Sequence, residues 1–176
     1  MQALNDINFS KIDWKSVDEK KAEFIYKEAL EHHKDIIENN NRISDKAIGL
    51  LSFTMPIMTA LAGYFAIAWG SVSNPLSLAA GFAGFCLFVI TINLLLILMP
   101  RGINNGTGSP GAYFTGEYYK RDMRELLVGN ITNLHNAILQ DRIVMNKRAL
   151  NFRVAVTFCA ILPVVSFLAF LLCPRN

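Results

Sequence analysis

The sequence predicts an all-α membrane protein with three transmembrane helices and two long cytoplasmic amphipathic helices. Three features carry that prediction. Hydrophobic residues make up 52% of the 176 residues and charged ones 18%, yet 48–70, 71–99 and 154–173 contain no charge at all. Basic residues crowd the stretches between those runs. In the charged segments, apolar residues recur at spacings of three, four and seven, the period of a helix with one dry face.

A bilayer core is crossed by about 20 apolar residues in helix. The long run from 48 to 99 is divided by the turn signal Gly70-Ser-Val-Ser-Asn-Pro75. Asn-Pro favours a turn, and proline suits the first position of the next helix. The expected spans are therefore about 48–70, 76–99 and 154–173. The first apolar run lies behind a charged segment and is too long for a signal-peptide core, so it reads as a retained anchor.

Orientation follows from the basic residues beside the spans. Residues 1–47 hold eight Lys or Arg and 100–153 hold another eight, while 71–75 hold none and the tail 174–176 holds Arg175. This predicts a multi-pass protein with its N-terminal segment (1–47) and second loop (100–153) in the cytoplasm. The 48–99 hairpin and the 154–173 span cross the membrane, and the 174–176 tail faces outward into the periplasm.

Within 1–47, the stretch 16–44 carries Ala22, Ile25, Ala29, His33, Ile36 and Ile43 at helical spacing. Ser16 and Glu19 have the spacing of a capping box for its start. Asn39–Asn41 interrupt the pattern, and Ser44-Asp45-Lys46 is placed to cap the first span. Residues 101–117 hold five glycines and one proline, the composition of a loop. A second helix is predicted over 118–152, with Met123, Leu127, Ile131, Leu134, Ile138 and Met145 on one face. It runs into the third span without a Gly or Pro break, so one continuous helix is expected to enter the bilayer. The apolar stripes of both segments need a partner within the protomer or in a neighbouring subunit.

The candidate chemistry is sparse. Asn130-Ile131-Thr132 and Asn105-Gly106-Thr107 spell glycosylation acceptors, but both lie on the cytoplasmic side. No Walker-type Gly-rich loop and no Gly-x-Ser-x-Gly occurs. Cys86, Cys159 and Cys173 all lie within spans and read as small packing residues, with neither a disulfide framework nor a metal spacing. His32 and His33 lie near Glu28 and Asp35, a pairing common on solvated helices. No metal and no cofactor is expected, and neither is enzymatic activity.

The spans are more informative. Ala79, Ala80, Gly81, Ala83 and Gly84 cluster in the second, where Ala79/Ala83 and Ala80/Gly84 allow close helix approach. Thr91 and Asn93 are polar positions in the same span, and an intramembrane Asn seeks a partner helix or water. Ala80, Gly84, Thr91 and Asn93 are thus the candidates for a subunit contact or a conduction path. Pro56 and Pro163 are expected to kink the first and third spans. Three uncharged spans without an inverted repeat cannot enclose a pathway within one protomer, so a homo-oligomeric ring of more than two copies is expected. Arg121, Arg124, Arg142 and Arg148 are candidate contacts for a signal or phosphate, although cations near a membrane also serve topology and headgroups.

The order is a charged helix ending in Ser44-Asp-Lys-Ala-Ile-Gly-Leu-Leu51, two tight spans closing with Leu98-Met-Pro-Arg101, a cytoplasmic helical segment and a third span. This layout resembles the small membrane effectors of bacterial antiviral systems. It is similar in size and layout to the accessory transmembrane protein encoded beside the RNA-guided ribonuclease of type VI-B CRISPR systems. That family has a degenerate HEPN-like motif, whose matching positions here would be Asn130 and His135. In active HEPN ribonucleases an Arg stands four to six residues before the His and holds the phosphate. Here Asn130 occupies the Arg position, ten residues separate Arg124 from His135, and no Arg precedes His32 or His33. Asn130 and His135 would moreover lie about 140° apart around a helix. The stretch Ser44–Leu51 and the span-loop-span order also resemble the transmembrane effectors of cyclic-pyrimidine (Pycsar) signalling. Both resemblances imply a homo-oligomer that permeabilises or depolarises the bacterial inner membrane during phage infection. The first implies an RNA-guided ribonuclease as functional partner, without direct nucleic-acid binding by this chain. The second implies a cyclic-nucleotide trigger.

Overall fold

The computed structural model describes residues 13–68, 75–100 and 120–172. After a short 3-10 turn at Trp14–Ser16 come three helices: α1 (Glu19–Ala68), α2 (Pro75–Leu98) and α3 (Met123–Leu172). There is no strand among the described residues. All three helices are long and apolar enough to cross a membrane. The 101–117 loop and its Asn105 acceptor, Cys173 and the 174–176 tail lie outside the described residues.

α1 starts at a cap different from the expected one. Asp18 Oδ1 accepts the Lys21 amide at 2.7 Å, the side-chain geometry of an N-cap. Ser16 Oγ donates instead to the Asp13 carbonyl at 2.8 Å. The 3-10 turn closes on itself through Ser16, so the capping role falls to the next suitable side chain. Asn39–Asn41 do not interrupt α1, which continues through them as one helix of 50 residues. No new helix start exists at 44–46: Ser44 Oγ bonds back to the Asn40 carbonyl at 3.3 Å, the usual outlet for a serine inside a helix. α2 opens on Pro75, as the turn signal predicts. α3 is also 50 residues long and enters its apolar half unbroken. Pro56 and Pro163 both lie inside helices that continue past them.

The chain forms two compact units: Met1–Glu38 with Gly102–Val144, and Asn39–Arg101 with Met145–Asn176. In the first unit Ala22, His33 and Ile36 of α1 are buried, as are Ile131, Leu134, Ala137 and Ile138 of α3. Apart from Ala137, these are residues the helical spacing selects. Of the others it selects, Ile25, Ala29, Leu127 and Met145 are half-buried, and Met123, at the start of α3, is 56% exposed. In the second unit Ala47, Leu87, Ile90, Leu94, Ile97 and Ala155 form the core. Ile43, Leu50, Leu51, Met58, Leu61, Phe152, Phe158, Cys159 and Leu162 pack against it.

The second unit begins nine residues before the uncharged run in both long helices, at 39 rather than 48 and at 145 rather than 154. Packing explains the difference. Ile43 and Phe152, on the charged side of those boundaries, pack on the same cluster as Leu94, Ile97 and Leu98 near the end of α2.

The outer faces of this unit are also apolar. α2 exposes Phe82, Phe85, Phe88, Ile92 and Leu95, Met99 just after it is exposed too, and α3 exposes Val156, Ile161, Val164, Phe167, Leu168 and Leu171. A helix apolar on every side belongs in a protein core or in lipid.

Candidate functional site

The chemistry-bearing side chains lie where apolar stripes are interrupted. Along α3, Ile131, Leu134, Ile138, Asp141, Met145, Arg148, Phe152 and Ala155 step by three and four residues, so all share one face. Asp141 and Arg148 are charged members of an otherwise apolar row. α1 has its own exceptions: His33 precedes Ile36, and Asn40 stands between Ile36 and Ile43.

In the first unit the two exceptions meet. His33 Nε2 lies 2.9 Å from Asp141 Oδ2, with side-chain exposures of 8% and 14%. Burying a polar group is costly unless it is hydrogen-bonded, and here each group supplies the other's partner. Neither Glu28 nor Asp35 fills this role. Both are exposed on α1, and the partner comes from 108 residues away. Exposed His32 lies off this contact. Among the described residues, no group of three His, Cys, Asp or Glu side chains is arranged to hold a metal ion.

In the second unit the exceptions also meet. Arg148 Nη1 donates to Asn40 Oδ1 at 3.0 Å, again across 108 residues. Its Nη2 donates to the Met99 carbonyl at 3.2 Å. Met99 directly follows α2, where helix carbonyls lack intrahelical partners and carry partial negative charge. The buried guanidinium thus binds α1, α3 and the end of α2 together. Arg148 therefore serves as an internal clamp, and its bonds to Asn40 and Met99 replace the phosphate contact for which its charge had made it a candidate.

The other candidate cations do not gather. Arg121 precedes α3 and is exposed; Arg124 and Arg142 are half-buried. Eighteen residues of helix put Arg124 and Arg142 about 27 Å apart.

Asn130 and His135 are both half-buried on α3, and a regular helix sets positions five apart on different faces. Burial pushes the His135 imidazole below its ordinary value, favouring the neutral ring. Thr132 Oγ1 donates to the Val128 carbonyl of its own helix at 3.0 Å. The helix brings no cation next to His135 in the place an Arg would occupy.

The membrane-type candidates are largely engaged within the hairpin. Thr91 is buried, with its hydroxyl 3.8 Å from Met58 Sδ of α1. The Asn93 amide donates to the Val89 carbonyl of its own helix at 2.9 Å, and its side chain is half-buried. A Cβ added at Gly81 would lie 3.6 Å from Phe65 Cζ, and one at Gly84 would lie 4.0 Å from Phe65 Cε2. The small residues therefore seat an aromatic ring of α1. Ala80 is half-buried, and Ala79 and Ala83 are buried. Cys86 is buried and Cys159 packs on the core, both as free thiols.

Motif and spacing name neither Asp141 nor the role of Asn40. The signal for both was present: a charged or amide residue falling in register on an apolar stripe. Comparison of the chain with family models, curated proteins and solved structures found no match.

Proposed function

We propose that this chain is a non-enzymatic, multi-pass protein of the bacterial inner membrane. Several copies would assemble as a ring whose conduction path depolarises or permeabilises the membrane when a cytoplasmic signal arrives. The observation that carries this reading is the pair of 50-residue helices, each with one charged half and one apolar half. Each of these helices is continuous from its charged half into its apolar half. The apolar outer faces of α2 and α3 also support it, because they offer surface for lipid and for neighbouring copies. Half-buried Asn93 is the favoured polar position for the path; Thr91 is already packed against Met58.

The antiviral setting, with an RNA-guided ribonuclease as functional partner, rests on the resemblance in layout. A cyclic-nucleotide trigger has weaker support, since the most deeply placed of the candidate phosphate ligands, Arg148, is engaged by Asn40 and Met99. Ribonuclease action has the least, because Asn130 supplies no charge.

A potential-sensitive dye in cells expressing the chain with its partner ribonuclease tests the reading. Loss of potential on phage challenge is expected, and it should fail in an Asn93→Leu variant. An unchanged potential in the wild type would reject the pore. Size determination in detergent bears on the ring, and a monomer or dimer there would reject it.

A further inference from the structure

Just below the uncharged runs, both long helices of the second unit carry exposed cations. Arg42 and Lys46 of α1 and Lys147 and Arg153 of α3 are all exposed. On α1, positions 42, 46, 49 and 53 step by four, three and four, so both cations lie in line with exposed Gly49 and Phe53. Phe53 is 73% exposed inside the first span. On α3, Lys147 and Arg153 flank Leu150, which is 61% exposed. The faces that carry these cations are therefore the same faces that turn outward in the spans.

Depth adds a second argument. The charge-free runs begin at Ile48 and Val154. With a rise of 1.5 Å per residue, Lys46 and Arg153 lie within about 3 Å of those starts, and Arg42 and Lys147 within about 11 Å. The headgroup layer is about 5–8 Å thick on each side of the hydrocarbon, and Lys and Arg stems extend several ångströms toward it. Between 39 and 50 and between 145 and 156 the only carboxylate is Asp45. With exposed Glu38 one turn before Arg42, the four exposed cations still outnumber the two nearby carboxylates, Glu38 and Asp45, and on lipid-side faces they complement an anionic surface.

We propose that Arg42, Lys46, Lys147 and Arg153 form a binding surface for anionic phospholipid headgroups, with Leu150 between Lys147 and Arg153 at the same depth. The inference rests on the membrane-spanning part of the proposed function and not on the pore. A second copy presenting this same face is the disfavoured occupant, because cations would then oppose cations.

The test uses the full chain in nanodiscs of phosphatidylcholine with and without phosphatidylglycerol, followed by mass spectrometry of the lipid retained after transfer to detergent. The wild type should retain phosphatidylglycerol over phosphatidylcholine by about tenfold or more, and added salt should reduce that preference. The triple variant Lys46→Gln/Lys147→Gln/Arg153→Gln should lose most of it. The charge-keeping variant Lys46→Arg/Lys147→Arg/Arg153→Lys should retain it, as should Lys20→Gln/Lys27→Gln/Lys34→Gln in the other unit. Carbonate extraction of membranes is the parallel readout. If the wild type is extracted, the membrane reading falls and this face with it. If it stays inserted but shows no phosphatidylglycerol preference, or the first triple variant keeps the full preference, the headgroup face alone is overturned. A change of oligomer size in that variant with unchanged lipid preference would assign the face to a second copy and also overturn the proposal.

Discussion

Replacing Asp141 by alanine is the sharpest perturbation of the first unit. It removes the partner of His33 Nε2, 2.9 Å away, in a contact where both side chains are largely withdrawn from solvent. A buried polar group left without its hydrogen-bond partner costs about 1–3 kcal/mol, and an Asp141→Ala loss of that size, about 1–3 kcal/mol, follows. Replacing both partners by leucine removes the two desolvation penalties together, so His33→Leu/Asp141→Leu should return to within about 1 kcal/mol of the wild type. Amide hydrogen exchange over α1 up to Glu38 and α3 up to Val144 reads the opening free energy of this unit directly. The double-mutant cycle should give a coupling of at least about 1.5 kcal/mol. A single-variant loss below about 0.5 kcal/mol, or purely additive singles, would refute the reasoning.

Three further outcomes are expected in the same unit. Leu134 is fully buried, so Leu134→Ala should cost about 3 kcal/mol in the same exchange measurement, from lost contacts and the cavity left behind. Gly129 is exposed within α3 and has open space where a Cβ would go; Gly129→Ala should stabilise by about 0.5–1 kcal/mol, read as slower exchange around it. His135 has its imidazole held below the ordinary value by burial. Its contribution to stability is therefore present above the ordinary histidine value of about 6.5 and is lost as pH falls through the lowered folded value. Exchange protection should weaken between about pH 7.5 and about pH 5.5, and His135→Gln should make that decline shallower.

Why some of this was legible from the residues alone is a matter of range. A span is decided by transfer of about 20 consecutive side chains to hydrocarbon, a local sum that needs no knowledge of neighbours. Pro75 at the start of α2 and the unbroken entry of α3 into its apolar half are equally local. The buried rows on α1 and α3 follow from the helix period, so Ala22, Ile36, Ile131, Leu134 and Ile138 could be named in advance. Helix starts were less secure because several side chains compete for the same amides. Ser16 lost the cap to Asp18 once the 3-10 turn had taken its hydroxyl.

The pairings were of another kind. The row on α3 shows that Asp141 and Arg148 break an apolar pattern, but not what answers them. His33 had carboxylates on its own helix, and only the fold shows it turned to Asp141 instead. Arg148 had the charge of a phosphate ligand, and only the fold shows it holding Asn40 and the Met99 carbonyl. The sequence by itself determined the all-helical class, the lengths able to cross a bilayer and most of the faces to be buried, because each depends on side chains within a few turns. The continuity of α1 through Asn39–Asn41 appeared only in the fold. The tertiary structure alone decided the partners of the buried polar groups, because those partners lie 108 residues apart in one case and 49 in another. Desolvation penalises any polar group in the stripe but does not specify which distant group relieves it.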